Sequence, residues 1–290
     1  MDLDGKTVLI TGASSGLGLE TSVQLARLGA EVVMVARDPR RGECALEAVR
    51  TRSRSATVSL LLCDLSSQSA IRNFAQGFRS RHRRLDVLVN NAGSMSVERR
   101  STEDGLEQTF AVNHLAPFLL TSLLLDMLTA SAPSRVVNVA SDGHRDGELD
   151  FADLQLERGN YSAEKAYYRS KLANVLFTNE LARRLEGTGV TASCLHPGVM
   201  PTNFWTHTPR MPSLVFAIYK LFMSTAEEGA KAVVHLATSP EASGGGYYEK
   251  SRRREPYGLG RDEALASRLW DASAKLVGVY TPAFSSASSS

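Results

Sequence analysis

Long apolar runs are missing from this sequence: no stretch reaches the roughly 18 to 20 residues that a helix needs to span a bilayer. The chain passes from Met1 almost directly into Lys6-Thr7-Val8-Leu9-Ile10, without the charged and then apolar regions of a secretory leader, so no signal peptide is expected. Cysteine is scarce. The three present, Cys44, Cys63 and Cys194, are an odd number without metal-ligand spacing, which argues against a disulfide framework or a metal site and for reduced thiols in a cytoplasmic protein. An excess of charge is lacking too: 33 basic against 31 acidic residues leave +2, which gives no general reason to expect nucleic-acid or membrane binding. The dense run Arg252-Arg253-Arg254 reads as a solvated loop.

What the chain does have is enough apolar residues, 43% of 290, for one large α/β domain spanning residues 1–280, with a serine-rich tail, 281–290, expected to be disordered. Short apolar strand patterns occur at Thr7 to Ile10, Glu31 to Ala36, Val58 to Cys63, Val87 to Val89, Arg135 to Ala140 and Val190 to Leu195, and helical patterns separate them. This alternation predicts a single-domain, doubly wound (Rossmann) parallel sheet with helices on both faces. Ser66 or Ser67 is the expected cap of a helix running to Arg81, Thr225 to Thr238 and Arg261 to Val277 are further helices, and Tyr247-Tyr248 marks a short segment between them.

The first strand leads into Thr11-Gly12-Ala13-Ser14-Ser15-Gly16-Leu17-Gly18 and then a helix. Glycines in a strand-turn-helix connection let the backbone approach a pyrophosphate at the helix N-terminus, where free N–H groups and the helix dipole favour anions. A nucleotide fold that binds NAD carries an acid at the end of the second strand for the ribose 2'-hydroxyl. Here Ala36 is followed by Arg37, with Arg40 and Arg41 close behind, a pattern suited to a 2'-phosphate and therefore to NADP(H). Asp64-Leu65 ends the third strand, where Asp64 is within reach of an adenine amino group, and Asn90-Asn91-Ala92-Gly93 ends the fourth, where a ligand crosses the sheet. Asn113 opens a helix apolar on nearly every side, and Ser141 stands at the end of the fifth strand.

Tyr167 and Lys171 lie four residues apart on a predicted helix and so face the same way. A phenol normally loses its proton near pH ~10, so trading protons near neutrality requires a fixed positive charge, and Lys171 is placed to supply it. Tyr161 and Lys165 form a second pair with the same spacing six residues upstream. His144 lies near Ser141, but no acid is placed to complete a hydrolase triad, and His114 and His196 read as structural.

Together these motifs resemble the short-chain dehydrogenase/reductase family over essentially the whole chain, and within it the retinol dehydrogenase and carbonyl reductase branch, from Val137-Asn-Val-Ala-Ser141, Ser170-Lys-Leu-Ala-Asn-Val-Leu-Phe-Thr178 and His196-Pro-Gly198. The resemblance implies that Asn113, Ser141, Tyr167 and Lys171 are catalytic and that Tyr167, which precedes the Ser-Lys-Leu-Ala run, is the functional copy of the pair. It also implies cofactor contacts from the glycine turn, from Asn91, Ala92 and Gly93, and from Pro197, Gly198 and Thr202. The implied reaction moves hydride between the nicotinamide and a small apolar carbonyl or alcohol, with Ser141 and Tyr167 bonded to its oxygen. Lys171 is implied to lower the phenol's pKa and hold the ribose, and Asn113 to hold a water that relays protons. A non-catalytic dinucleotide-binding sensor on the same fold is the alternative. Residues 206–223 read as an apolar lid, or alternatively as an interfacial membrane helix. The apolar helices starting near Asn113 and Tyr167 predict a homodimer or homotetramer joined through them.

Overall fold

The computed structural model describes residues 3–198, 225–240, 242 and 245–279. Thr202, the expected lid at 206–223 and the tail at 281–290 lie outside the described residues. The predicted strands form as β1 (Thr7–Thr11), β2 (Glu31–Ala36), β3 (Val58–Leu62), β4 (Val87–Asn90), β5 (Ser134–Val139) and β6 (Val190–His196). Helices α1 (Gly16–Arg27), α2 (Pro39–Ser53) and α3 (Gln68–Arg81) follow the first three, and Ser67 caps α3 by accepting from the Ala70 amide. The sheet order is β3-β2-β1-β4-β5-β6-β7-β8, where β7 is Gly246–Glu249 and β8 is Arg252–Arg254, and only β8 is antiparallel. Every residue of β1 is buried, as expected for a parallel strand covered on both faces. The order reverses between β1 and β4, which opens a crevice at the carboxyl ends of the strands.

The arginine run is not a solvated loop. Arg254, Arg253 and Arg252 pair with Tyr247, Tyr248 and Glu249, so the run is the outer strand of the sheet. All three arginines are exposed, and charge on an edge strand discourages pairing with another chain. A run of like charges carries no period-2 pattern, and only the pairing with β7 makes it a strand.

The helix expected from Asn113 begins earlier. Its first turn, α4 (Gln108–Phe110), is capped by Glu107, whose carboxylate accepts from the amides of Thr109 and Phe110, both at 2.8 Å. Residues Ala111–Leu115 form a π turn before α5 (Ala116–Ala130). The stretch Gln108–Ala130 is therefore 23 residues long and apolar enough, by length and composition, to cross a bilayer, unlike any single apolar run. In the fold it is a core helix, with Phe110, Phe118, Leu119, Leu124 and Leu128 fully buried.

Its remaining apolar face, and that of α6 (Ala163–Arg184), are covered from within the chain. Helix α7 is Ala226–Thr238 and α8 is Glu263–Val277. Trp270 of α8 packs edge-on against Phe118 at 4.9 Å and tilted against Phe177 at 5.9 Å, and Ser273 meets His114 Nε2 at 2.8 Å. Leu172, Leu176 and Phe177, the residues behind the expected oligomer, are all buried. With α8 seated, Leu172, Leu176 and Phe177 are not available to a symmetry mate, while Leu123, Leu125 and Met127 of α5 stay partly buried. Trp270→Ala should lower stability by about 3 to 5 kcal/mol, the usual range for emptying a buried aromatic site, read as a lower urea midpoint at unchanged slope.

Candidate active site

The crevice is a cleft of about 1190 Å³, lined at one end by the glycine turn and at the other by Ser141, Tyr167 and Lys171. The turn is tight. Gly12 has φ +65°, and a Cβ there would lie 2.8 Å from the Ala92 Cα, while one on Gly18 would collide with the Gly12 carbonyl. Asn91 ties the turn to β4, its side-chain amide donating to Thr11 O at 2.8 Å and Gly12 O at 3.2 Å. The backbone amides of Asn91 and Ala92 both donate to Thr11 Oγ1. Ser15 stands at the cap position of α1 but makes no capping bond, and no acid occupies the first turn. The first amides of α1 thus face the cleft without a side-chain acceptor, as an anion site requires.

Ser14, Gly16, Leu17, Asp64, Leu65, Gly93, Pro197 and Gly198 also line the cleft, as predicted. So do Arg37 and Arg41, whereas Arg40 does not. Asp38, the acid nearest the end of β2, is engaged as the cap of α2, accepting from the Arg41 amide at 2.8 Å. The residues present fit a dinucleotide, with a steric cradle, open helix amides and cations beyond β2.

Ser141 Oγ accepts from the Gly143 amide at 3.2 Å and is hydrogen-bonded to the Tyr167 phenol. Lys171 Nζ lies 5.5 Å from the centre of the Tyr167 ring and donates to Val139 O at 3.0 Å. Burial pushes the phenol up to about 12, with the Ser141 bond only partly opposing it, and burial lowers Lys171 to about 8. Desolvation of the phenolate is the largest effect on the phenol among the chain's own groups, and the expected lowering rests on Lys171 together with the positive charge of a bound nicotinamide.

Asn113 departs from its expected place. It is fully buried behind the cleft wall, its amide donating to Ser94 O at 2.9 Å and Ser170 Oγ at 3.0 Å, its oxygen accepting from the Ser94 amide at 2.7 Å. That side chain spends both amide hydrogens on protein partners, and it fixes Gly93 and Ser94 beside Lys171. Consistent with this, a Cβ on Gly93 would sit 3.7 Å from Asn113 Oδ1 and 3.8 Å from Lys171 Nζ.

The duplicate pair is settled by position. The Tyr161 hydroxyl donates to Ser96 O and Glu107 Oε1, and neither Tyr161 nor Lys165 lines the cleft. His144 does not approach the Ser141 hydroxyl either; its Nδ1 meets the Ser141 carbonyl at 2.7 Å, which removes the triad geometry. Sequence reasoning did not single out Ser94, Met95, Gln108, Val112 or Tyr168 as cleft residues. Only Tyr168 had a visible signal, as the neighbour of Tyr167; its ring packs over Gly143, where a Cβ would come within 2.8 Å.

A family profile described as short chain dehydrogenase matches residues 6–212. The chain belongs to the short-chain dehydrogenase family. It is 45% identical to human retinol dehydrogenase 14, over 96% of this chain and 88% of that one, and 42% identical to human retinol dehydrogenase 13, over 97% and 87%. Among solved structures, this short-chain dehydrogenase superposes with a TM-score of 0.78 on an uncharacterized protein of Mycobacterium paratuberculosis, at 36% identity over 97% and 96% of the two chains. The Pseudomonas aeruginosa RhlG/NADP active-site complex gives 0.69 at 27% identity, over 86% and 95%.

Gly12→Ala should weaken dinucleotide binding at least about tenfold, roughly 1.4 kcal/mol, in a folded protein, measured by fluorescence titration, because the new methyl meets backbone rather than a movable side chain.

Proposed function

We propose that this short-chain dehydrogenase is an NADP(H)-dependent oxidoreductase acting on a carbonyl or alcohol of a small apolar substrate, an aldehyde, ketone or retinoid-like compound. The observation that carries the reading is the convergence of the Ser141 hydroxyl, the Tyr167 phenol and the Lys171 ammonium at the open end of a cleft whose other end is built for a dinucleotide. The names of the retinol dehydrogenases to which the chain is 42 to 45% identical support the substrate class. Support for NADP over NAD comes from Arg37 and Arg41 beyond β2, from the absence of an acid at Ala36, and from the NADP bound by RhlG. A cytoplasmic setting belongs to the same reading, supported by Cys44, an exposed free thiol.

NADPH, when bound, supplies the hydride. Negative charge then grows on the substrate oxygen, and Ser141 and Tyr167 donate hydrogen bonds to it, Tyr167 giving up its proton. Transfer from a phenol held at about 12 is favourable to an alkoxide, which is a far stronger base. In the reverse direction Tyr167 must already be a phenolate to accept the alcohol's proton, and the Lys171 ammonium beside it stabilises that phenolate. Lys171, beside Gly93, would hold the nicotinamide ribose, and Asn113 keeps that wall in position. A proton relay through a water held by Asn113 completes the reading; Asn113 stands in a π turn, a distortion common at functional sites.

Following NADPH absorbance with medium-chain aldehydes, ketones and retinal tests this function. Turnover that is abolished in Tyr167→Phe, with NADPH affinity kept within a few fold, is the expected result; tight NADPH binding with no turnover on the whole panel would favour a sensor. Tyr161→Phe should keep its turnover and lose about 1 kcal/mol of stability, since a buried hydroxyl bond to Glu107 is removed. Arg37→Asp should lower the preference for NADP over NAD at least about tenfold, roughly 1.4 kcal/mol, and an unchanged ratio of the two kcat/KM values would count Arg37 out.

A further inference from the structure

The loop that carries Ser141 is short and lies at the rim of the cleft, yet one of its residues is almost completely buried. His144, 1% exposed, sits in the 3-10 turn Asp142–Asp146 with its ring turned inward. Its two nitrogens reach opposite partners: Nδ1 meets the Ser141 carbonyl at 2.7 Å, and Nε2 meets the Tyr257 amide at 3.1 Å. A carbonyl only accepts and a backbone amide only donates, so the partners themselves determine the tautomer, with hydrogen on Nδ1 and a lone pair on Nε2. The ring is wedged between Tyr247 of β7, 4.9 Å away, and Tyr257, 6.0 Å away. Gly260 leaves just enough room, since a Cβ there would lie 3.4 Å from His144 Cδ2.

We propose that His144 is a positioning residue for the reaction, a neutral imidazole strut that ties the backbone of Ser141 to the C-terminal segment at Tyr257 and so holds the Ser141 hydroxyl where the substrate oxygen must sit. The proposal rests on the reading of Ser141 as a donor to that oxygen. Within the loop, the Ser141 carbonyl otherwise accepts only from the His144 amide at 3.2 Å, a bond internal to the same turn. The imidazole bond is the one that connects this carbonyl to a distant part of the chain. A hydroxyl displaced by a fraction of an ångström loses much of its effect on the transition state, so a strut of this kind acts on kcat and not on cofactor binding.

The strut works in one protonation state only. An added proton on Nε2 would point at the Tyr257 N–H and break the link. Burial, the first cause, and the adjacent Arg145 hold the ring neutral, against the Ser141 bond and the carboxylates of Asp142 and Glu249. Arg145 is itself held over the Tyr257 ring at 3.6 Å and paired with Glu249 at 3.1 Å. The other titratable groups around the turn are His196 of β6, Tyr247 of β7 and Tyr168 of α6, which packs over Gly143.

Three measurements test the strut. Nitrogen-15 shifts of the wild-type imidazole, recorded without turnover, should show hydrogen on Nδ1 near neutral pH; hydrogen on Nε2 would overturn the proposal whatever the fate of the proposed reaction. His144→Phe keeps the ring volume and loses both bonds, and kcat should fall at least about tenfold with NADPH affinity within twofold; a folded variant with wild-type kcat would overturn it. Tyr257→Pro removes only the amide hydrogen beyond what Tyr257→Ala removes, at a residue whose φ of −85° suits proline. Relative to Tyr257→Ala, the proline variant should lower kcat at least about tenfold with NADPH affinity within twofold, because the amide that anchors Nε2 is gone; equal kcat in the two variants would overturn the proposal. Should the proline variant fail to fold, the imidazole shifts and His144→Phe still decide it. A wild-type protein without turnover on any carbonyl would instead count against the proposed function, and would leave the tautomer as the deciding measurement for the strut.

Discussion

Asn91 holds the glycine turn to the centre of the sheet, and the geometry of the cleft depends on that attachment. Its amide donates to the carbonyls of Thr11 and Gly12, while Thr11 Oγ1 returns by accepting from the amides of Asn91 and Ala92. These bonds cross from β4 to β1 at the place where the strand order reverses, and they close the wall against which Gly12 packs. Because the pairing uses the Asn91 and Ala92 amides and the Asn91 side-chain NH2, Asn91 shapes the turn. The next residue back, Asn90, continues the network inward, donating to Asn138 Oδ1 and Thr121 Oγ1, and Asn138 in turn donates to Thr178 on α6. A chain of amides thus runs from the cofactor turn through β4 and β5 to the helix that carries Tyr167 and Lys171.

Burial sets the electrostatics of the far end of the cleft. It moves Tyr167 and Lys171 in opposite directions on the pH scale, up to about 12 and down to about 8, and both shifts favour the neutral form of each group. Such a site resists charging itself and responds strongly to charge brought by a ligand, since Coulomb terms grow as the local dielectric falls. The phenol by itself is therefore a reluctant acid. A similar cost of burial keeps His114 at about 3 and so neutral, and its Nε2 contact with Ser273 is part of what seats α8 on the core.

The C-terminal third of the described chain does more than complete the sheet. Trp270 and Ser273 close the apolar faces of α5 and α6, and the segment after β8 reaches back through Tyr257 to the serine loop. On the opposite side of the site, Glu107 caps α4, holds Tyr161 and lies 3.8 Å from the buried guanidinium of Arg169 on α6. The helix bearing Tyr167 and Lys171 is therefore braced by three separate segments, each distant from it in sequence.

Much of this molecule was determined by local sequence. The six central strands and the helix capped by Ser67 followed from apolar runs and a cap residue, because buried parallel strands and helix starts depend on neighbours a few positions away. The glycine turn, the Ser141 terminus and the four-residue spacing of Tyr167 and Lys171 were legible for the same reason. What only the tertiary structure decided depends on partners far along the chain. The Arg252–Arg254 strand exists because β7 is there to pair with it, and Tyr161 is distinguished from Tyr167 by Glu107, 54 residues away. The early helix start depends on a glutamate acting as a cap, and the place of Asn113 on a π turn that its own residues do not announce. The pKa of Tyr167 shows the same division: spacing shows which charge is near a phenol, whereas the cost of removing it from water is set by everything that packs around it.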